Sequence, residues 1–153
     1  MLNAMFPFNY LLTQIENVLK INDYPYERLN GGEGFKVDPG DGFMLWVFFN
    51  RQDESLYFIA KMMYSFPLGI LQTVRDNIER VNAQISDGHF EIIHDHLSFV
   101  LVKEIKNLTP DHTPDHTTLK DWIDFPITQL SQQVFKVQNI DIRSLSAIKI
   151  DQN

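Results

Sequence analysis

Apolar residues recur at intervals of three and four positions in three stretches of the chain, which is the period of an amphipathic helix. The first stretch predicts a helix over residues 9–21. The second has the clearest pattern and is ended by residues 86–88. Its apolar positions are Leu71, Val74, Ile78, Val81 and Ile85. The third begins near Thr118, and Pro126 is expected to kink or restart it.

Two aromatic-rich segments predict the central hairpin of an antiparallel sheet. Residues 43–49 are almost wholly apolar, as expected of a strand that is covered on both faces. A polar turn separates them from residues 56–64, which return as the second strand. Further strands are predicted at residues 24–29 (an edge strand, because Pro25 cannot donate to a ladder), 35–37, 90–92 and 97–101.

These elements predict a single α+β domain over residues 1–138, with helices packed on an antiparallel sheet. The predicted order is a helix, three or four strands, a helix, two strands and a helix. Residues 139–153 form a C-terminal tail in which apolar residues alternate without a clear stop signal. We expect this tail to be an edge strand or a loose end.

Composition and charge exclude several classes of function. The chain of 153 residues has no cysteine, which excludes disulfides, zinc–thiolate sites, iron–sulfur clusters and a thiol nucleophile. Its net charge is −7 and its basic residues are scattered, so nucleic acid and anionic membranes are poor partners. No Lys or Arg precedes Lys20, and the longest apolar run is far shorter than the ~20 residues of a membrane span. We therefore expect a cytoplasmic protein.

The glycine-rich segment at residues 31–34 is the first candidate for a binding site. Its sequence, Gly-Gly-Glu-Gly, lacks the Lys-Ser/Thr pair of a P-loop. It also precedes a predicted strand rather than a helix, so no helix N-terminus is available there to hold a phosphate. We expect turn geometry at this segment and no nucleotide cofactor.

The histidines are the second candidate, because His94 and His96 would share one face of a strand. Together with a carboxylate from Asp111 or Asp115 they would make a usable metal-ligand set. No HExxH motif or facial-triad spacing supports a metal site, and we expect this pair to lie in a solvated turn. The serines and carboxylates form no nucleophile motif either. We expect no catalytic, cofactor-binding or metal-ligating residues, and no enzyme activity.

Residues 71–83 end in the apolar-Asn step Val81-Asn82 and are followed by residues 88–92, with the sequence Gly-His-Phe-Glu-Ile. This combination resembles the YbjN family, whose fold is similar to that of the small chaperones of type III secretion. The resemblance covers about residues 9–138. It implies the element order α-β-β-β-α-β-β-α, a tendency to dimerise, and a role in binding other proteins or in regulation. It implies no catalytic residues.

We therefore expect a non-enzymatic protein-binding module, chaperone-like or regulatory, whose protein partner is unidentified. The alternatives are a small-ligand sensor, with a pocket lined by aromatic residues of the central hairpin, and a histidine-based metal-binding protein. A homodimer is also expected. Residues 43–49 leave few polar side chains to face water, and a second copy would bury an apolar sheet face that the helices leave uncovered.

Overall fold

The computed structural model of the protein describes residues 2–63, 69, 71–106 and 108–138. Within these residues the helices are α1 (Leu2–Ile21), α2 (Leu71–Asn82), α3 (His116–Gln138) and a short 3₁₀-helix (Pro110–His112). The strands are β1 (Tyr26–Arg28), β2 (Gly34–Gly40), β3 (Phe43–Asn50), β4 (Ser55–Met62), β5 (His89–Ile93) and β6 (His96–Glu104). The predicted α+β class and the predicted order are confirmed, and the three-residue β1 is the optional strand of that order.

The six strands form one antiparallel sheet in the order β1-β2-β3-β4-β6-β5. The predicted hairpin of β3 and β4 lies at its centre, paired from Phe43 opposite Met62 to Asn50 opposite Ser55. Both strands are rich in aromatic and branched residues, which suit a pleated, packed surface. α2 then carries the chain past β4, so that β6 pairs with β4 and β5 becomes the far edge.

The helices pack on one face of the sheet, here called the inner face. Side chains alternate between the two faces of a strand, and the buried cluster takes one side of that alternation together with residues of all three helices. The ring of Phe8 in α1 lies 5.6 Å from that of Phe49, and Phe125 in α3 lies 5.6 Å from Phe99. Burying each large apolar side chain in this layer contributes about 1.5–3 kcal/mol.

Residues 43–49 are not covered on both faces, so that prediction was wrong. Leu45 and Val47 are fully buried on the inner face, whereas Met44 and Trp46 on the opposite face stay partly exposed. The reason is that the described helices share one core, and none of the described residues in that core comes from the opposite face of the sheet.

The third helix begins two residues before the predicted start at Thr118. The side chain of Asp115 accepts a hydrogen bond from the backbone N–H of Thr118 at 2.8 Å and so caps the helix. The helix then continues through Pro126 to Gln138 as one element, so the predicted restart is absent. None of the described helices is long and apolar enough to cross a membrane.

The tail at residues 139–153 lies outside the described residues. The predicted domain limit at residue 138 and the predicted edge strand or loose end after it therefore stay predictions. Tyr64, predicted as the end of the second central strand, also lies outside, and the described part of that strand ends at Met62.

Candidate functional site

The face of the sheet opposite the helices, here called the outer face, is the candidate functional site. None of the described helices covers it. Its central side chains are Lys36, Met44, Trp46, Phe48, Tyr57, Ile59, Lys61, Ile93, Val100 and Val102. Most of these side chains are apolar, and several remain partly exposed. A contiguous apolar surface that meets water is typical of an interaction site.

The strand register determines which outer-face side chains are neighbours. Trp46 lies opposite Lys36 on one side and opposite Ile59 on the other. Ile59 in turn lies opposite Val100. Because directly opposite residues have Cβ atoms about 5 Å apart, these four side chains form a continuous row across the middle of the sheet.

Two ammonium groups lie beside the indole of Trp46. The Nζ atom of Lys36 is 5.8 Å from the ring centroid, and the Nζ atom of Lys61 is 5.2 Å from it. Contacts of this kind contribute roughly 0.5–1 kcal/mol each at exposed sites. Among the described residues neither lysine forms an ion pair with a carboxylate. The centre of the outer face therefore carries two positive charges, with one carboxylate, that of Glu27, directly opposite Lys36 in the register of β1 and β2.

Phe48 and Tyr57 form a stacked aromatic pair next to this row. Their ring centroids are 5.1 Å apart and their planes differ by 1°. The Tyr57 hydroxyl donates a hydrogen bond to Asp53, which raises the pKa of Tyr57. On the other side of Phe48 lies Gly34, where an added Cβ would come within 2.7 Å of the Phe48 Cβ. The absence of a side chain at Gly34 thus leaves room for Phe48 on the neighbouring strand.

The depressions on the outer face are small. One has a volume of about 200 Å³ and lies between β3, β4 and β5. It is lined by Trp46, Phe48, Ile59, Lys61 and Ile93. A second, of about 310 Å³, lies towards β1 and includes Lys36 and Met44. Pockets that enclose a small ligand span roughly 300–1,000 Å³, so the first depression is below this range and the second is at its lower limit; both have room for a single side chain of a partner.

The histidines of the sequence analysis are spread over the molecule. His94 is exposed in the turn between β5 and β6, with a left-handed φ of 50°, and His96 is the first residue of β6. His112 lies in the 3₁₀-helix, and His116 begins α3, where its Nε2 is 2.5 Å from Oε1 of Gln14. Among the residues that the structure describes, no three His, Asp or Glu side chains come together as a metal-ligand set.

The glycine-rich segment lies in the turn that links β1 to β2. Gly31 and Gly32 have φ values of 90° and 71°, which residues with a side chain adopt only under strain. The segment leads into β2 and not into a helix. Its glycines therefore serve the geometry of the turn.

Apart from Tyr57 on the outer face, several ionisable groups with shifted pKa values join helices to the segment around β1. Arg28 Nη2 donates to Glu16 Oε1 at 2.9 Å, and this hydrogen bond lowers the pKa of Glu16. Tyr24 donates a hydrogen bond to Asp124 in α3; its burial, together with this bond, raises the pKa of Tyr24 to about 12. These contacts fasten the β1 segment to α1 and α3.

Sequence reasoning indicated that one face of the central hairpin could stay uncovered, but it missed the two lysines. Lys36, Trp46 and Lys61 stand in three different strands, and only the register brings them together. The available signal was the alternation within each strand, since Lys36 and Lys61 interrupt runs of otherwise apolar residues. That signal does not tell which residues are opposite each other.

The comparisons with known proteins concern the fold. No protein-family model and no curated protein matches the sequence. Among solved structures, the chain is similar to YbjN from E. coli, a protein that has been proposed to be a transcription regulator. The similarity covers 79% of this chain and 86% of that chain, with a TM-score of 0.59 and 10% sequence identity. The resemblance to YbjN inferred from the sequence is thus confirmed at the level of the fold.

Proposed function

We propose that the chain is a non-enzymatic protein-binding module, regulatory or chaperone-like, that binds its partner through the outer face. The observation that carries this proposal is the row formed by Lys36, Trp46 and Ile59, a partly exposed apolar and cationic strip that none of the described helices covers; Val100, at the end of the row, is buried. A surface of this kind gains free energy when a partner removes it from water.

The regulatory part of the proposal draws support from the fold that the chain shares with YbjN, which has been proposed to be a transcription regulator. The net charge of −7 favours regulation through a protein partner, because binding to a phosphate backbone requires clustered Lys and Arg. We also propose the cytoplasmic location predicted from the sequence, with which the absence of cysteine in the given sequence is compatible.

The test is capture of proteins from the lysate of the native host with the wild type and with an outer-face variant, Trp46→Ser/Ile59→Ser. We expect the wild type to capture a partner that the variant loses. Ile21→Ser is the matched control, because Ile21 is an apolar residue of α1 that is 68% exposed on the helical side. Circular dichroism of each variant establishes that it is folded. Equal capture by all three proteins would contradict the proposal.

The homodimer expected from the sequence is a second proposal for the same surface. The six strands contain 40 residues in all, and at about 3.3 Å per residue and about 4.8 Å between strands they give the outer face roughly 600 Å². Stable interfaces bury roughly 800 Å² on each partner, so a second copy has nearly enough surface to cover. Light scattering at micromolar concentration tests this: a dimer through this face would have twice the chain mass in the wild type, and Trp46→Ser/Ile59→Ser would have the chain mass.

A further inference from the structure

The outer face differs in charge from the rest of the molecule. The chain carries a net charge of −7. In the described part of the chain, several Arg and Lys side chains away from the centre of the outer face form ion pairs with carboxylates. Lys36 and Lys61 are different, because each contacts the ring of Trp46 and neither forms an ion pair with a described carboxylate, although Glu27 lies opposite Lys36. Two cations thus meet at the centre of an apolar surface.

The arrangement around Trp46 determines what could neutralise them. Both ammonium groups lie within 6 Å of one indole centroid, in strands on either side of β3. Ile59, Ile93 and Trp46 line the depression between them and the β5 edge. An occupant that satisfies all of these groups has an apolar side chain for the depression and carboxylates that reach the two ammonium groups beside Trp46. In an extended segment, at about 3.3 Å per residue, those carboxylates would stand two or three residues apart.

A second copy of the chain fits this chemistry less well. Two copies packed face to face would bring four ammonium groups, from Lys36 and Lys61 of each, towards the same apolar centre. Of the outer-face glutamates, Glu27 lies directly opposite Lys36, whereas Glu91 and Glu104 lie on β5 and at the end of β6, away from that centre. A second copy thus supplies one carboxylate near the lysines for every two ammonium groups. Like charges brought together in an interface cost free energy and favour a different partner.

We propose that the outer face binds an extended, acidic segment of a partner protein, with an apolar anchor residue placed over Trp46 and Ile59, in preference to a second copy of this chain. The proposal rests on the proposed function, since it names the chemistry of the partner at the same surface. Lys36 and Lys61 supply the charge selectivity, and the apolar row supplies most of the buried area.

The experiment is a display selection of random 12-residue peptides on the immobilised full chain. The expected result is enrichment of Asp and Glu at two or three positions from a Leu, Ile, Met or aromatic residue. The same selection on Lys36→Glu/Lys61→Glu should lose the acidic enrichment, and a peptide selected on the wild type should bind this variant at least about tenfold more weakly. Its affinity for the wild type should also fall as salt is raised.

The matched control is Lys20→Glu/Arg75→Glu, which changes the net charge by the same amount at exposed helix positions and should select the same peptides as the wild type. Should the glutamate variant fail to fold, Lys36→Gln/Lys61→Gln removes the charges without reversing them. One outcome would overturn this inference and leave the binding surface in place. In that outcome the selected peptides show no acidic enrichment, bind the wild type and Lys36→Glu/Lys61→Glu equally, and do not bind Trp46→Ser/Ile59→Ser. Selection unaffected by Trp46→Ser/Ile59→Ser would remove the proposed function as well. If the selection yields no peptide, and the wild type forms a dimer that Trp46→Ser/Ile59→Ser dissociates, the face belongs to a second copy and the inference is overturned.

Discussion

Asn82, the last residue of α2, acts as a substitute for a neighbouring strand. Its Oδ1 accepts a hydrogen bond from the backbone N–H of Phe90 at 2.7 Å, and its Nδ2 donates to the Phe90 carbonyl at 2.9 Å. Because a residue of an antiparallel strand directs both backbone groups to the same side, the two bonds show that Phe90 points them away from β6. The side chain of Asn82 therefore satisfies the outer edge of β5 at this position.

Asn82→Ala should lower the free energy of unfolding by about 1–3 kcal/mol, because it leaves two backbone groups of Phe90 without their partner. Urea denaturation measures the change. Asn82→Asp keeps the acceptor and loses the donor, so its cost should be smaller. Gln84→Ala, at an exposed position just after the helix, is the control and should stay within about 0.5 kcal/mol of the wild type. An equal cost at both positions would show that the edge contact contributes nothing.

The raised pKa of Tyr24 predicts how stability changes at alkaline pH. The folded chain keeps the phenol proton up to about pH 12, whereas an unfolded chain loses it near a pKa of about 10. Between these values the folded state binds more protons, so the stabilisation, which is fully present below about pH 10, is lost as pH rises through this range.

Melting temperatures measured from pH 9 to pH 12 should therefore fall more steeply for the wild type than for Tyr24→Phe, which has no proton to lose. The variant should be less stable at pH 9, since it lacks the hydrogen bond to Asp124. Parallel curves for the two proteins would mean that Tyr24 titrates alike in the folded and unfolded states.

At the scale of elements, the close approach of β2 and β3 depends on a glycine. A Cβ built on Gly34 would lie 2.3 Å from the carbonyl oxygen of Val47 and 2.7 Å from the Cβ of Phe48. Both of these neighbours belong to the rigid centre of the sheet, so neither can move without disturbing the pairing of β3 with β4.

Gly34→Ala should consequently destabilise the protein by about 1–3 kcal/mol, the usual range for overpacking. Thermal unfolding monitored by circular dichroism gives the change. Gly69→Ala is the matched control, since an added Cβ there meets open space. If Gly34→Ala and Gly69→Ala had the same melting temperature, β2 and β3 would be able to move apart at Gly34 without loss of stability.

The hydrophobic pattern predicted where the helices and strands lie, but it predicted less well which of their side chains are buried, because burial depends on how the elements pack. The stripe of α2 correctly indicated an amphipathic helix with Val74 and Val81 buried. It also placed Ile78 against the sheet, yet Ile78 is only partly buried and Asn77 is the third buried side chain. The position of α2 at the β5 edge, against α3, sets which side of the stripe is covered, and periodicity carries no information about that position.

At the scale of the whole molecule, one sheet serves two different purposes. Phe58 in β4 is fully buried on the inner face, whereas Val102 in β6 is 38% exposed on the outer face. Phe58→Ala should cost about 3–5 kcal/mol, the range for removing a buried aromatic side chain. Val102→Thr should change the stability by no more than about 0.5 kcal/mol. Chemical denaturation of both variants tests the contrast, and a comparable loss for each would mean that the outer face is also part of the core.

The chemistry of the outer face could be predicted only in part. The apolar character of residues 43–49 and the possibility of an uncovered face follow from the sequence. The meeting of Lys36 and Lys61 at Trp46 does not, because it depends on how β2 and β4 register against β3. A shift of one residue in either strand would turn the lysine to the inner face.

The two edges of the sheet differ in what they can accept. On β5, Asn82 occupies the backbone groups of Phe90, which leaves Ile92 as the only other residue of that five-residue strand with groups directed outwards. On the other side, no described strand covers the outer edge of β1, which is only three residues long. A fibril grows by edge pairing only if every added chain presents a fresh edge for the next. Among the described strands, pairing of two β1 edges would leave each chain only the groups of Ile92 for a further partner, so the assembly would close as a pair instead of propagating into a filament.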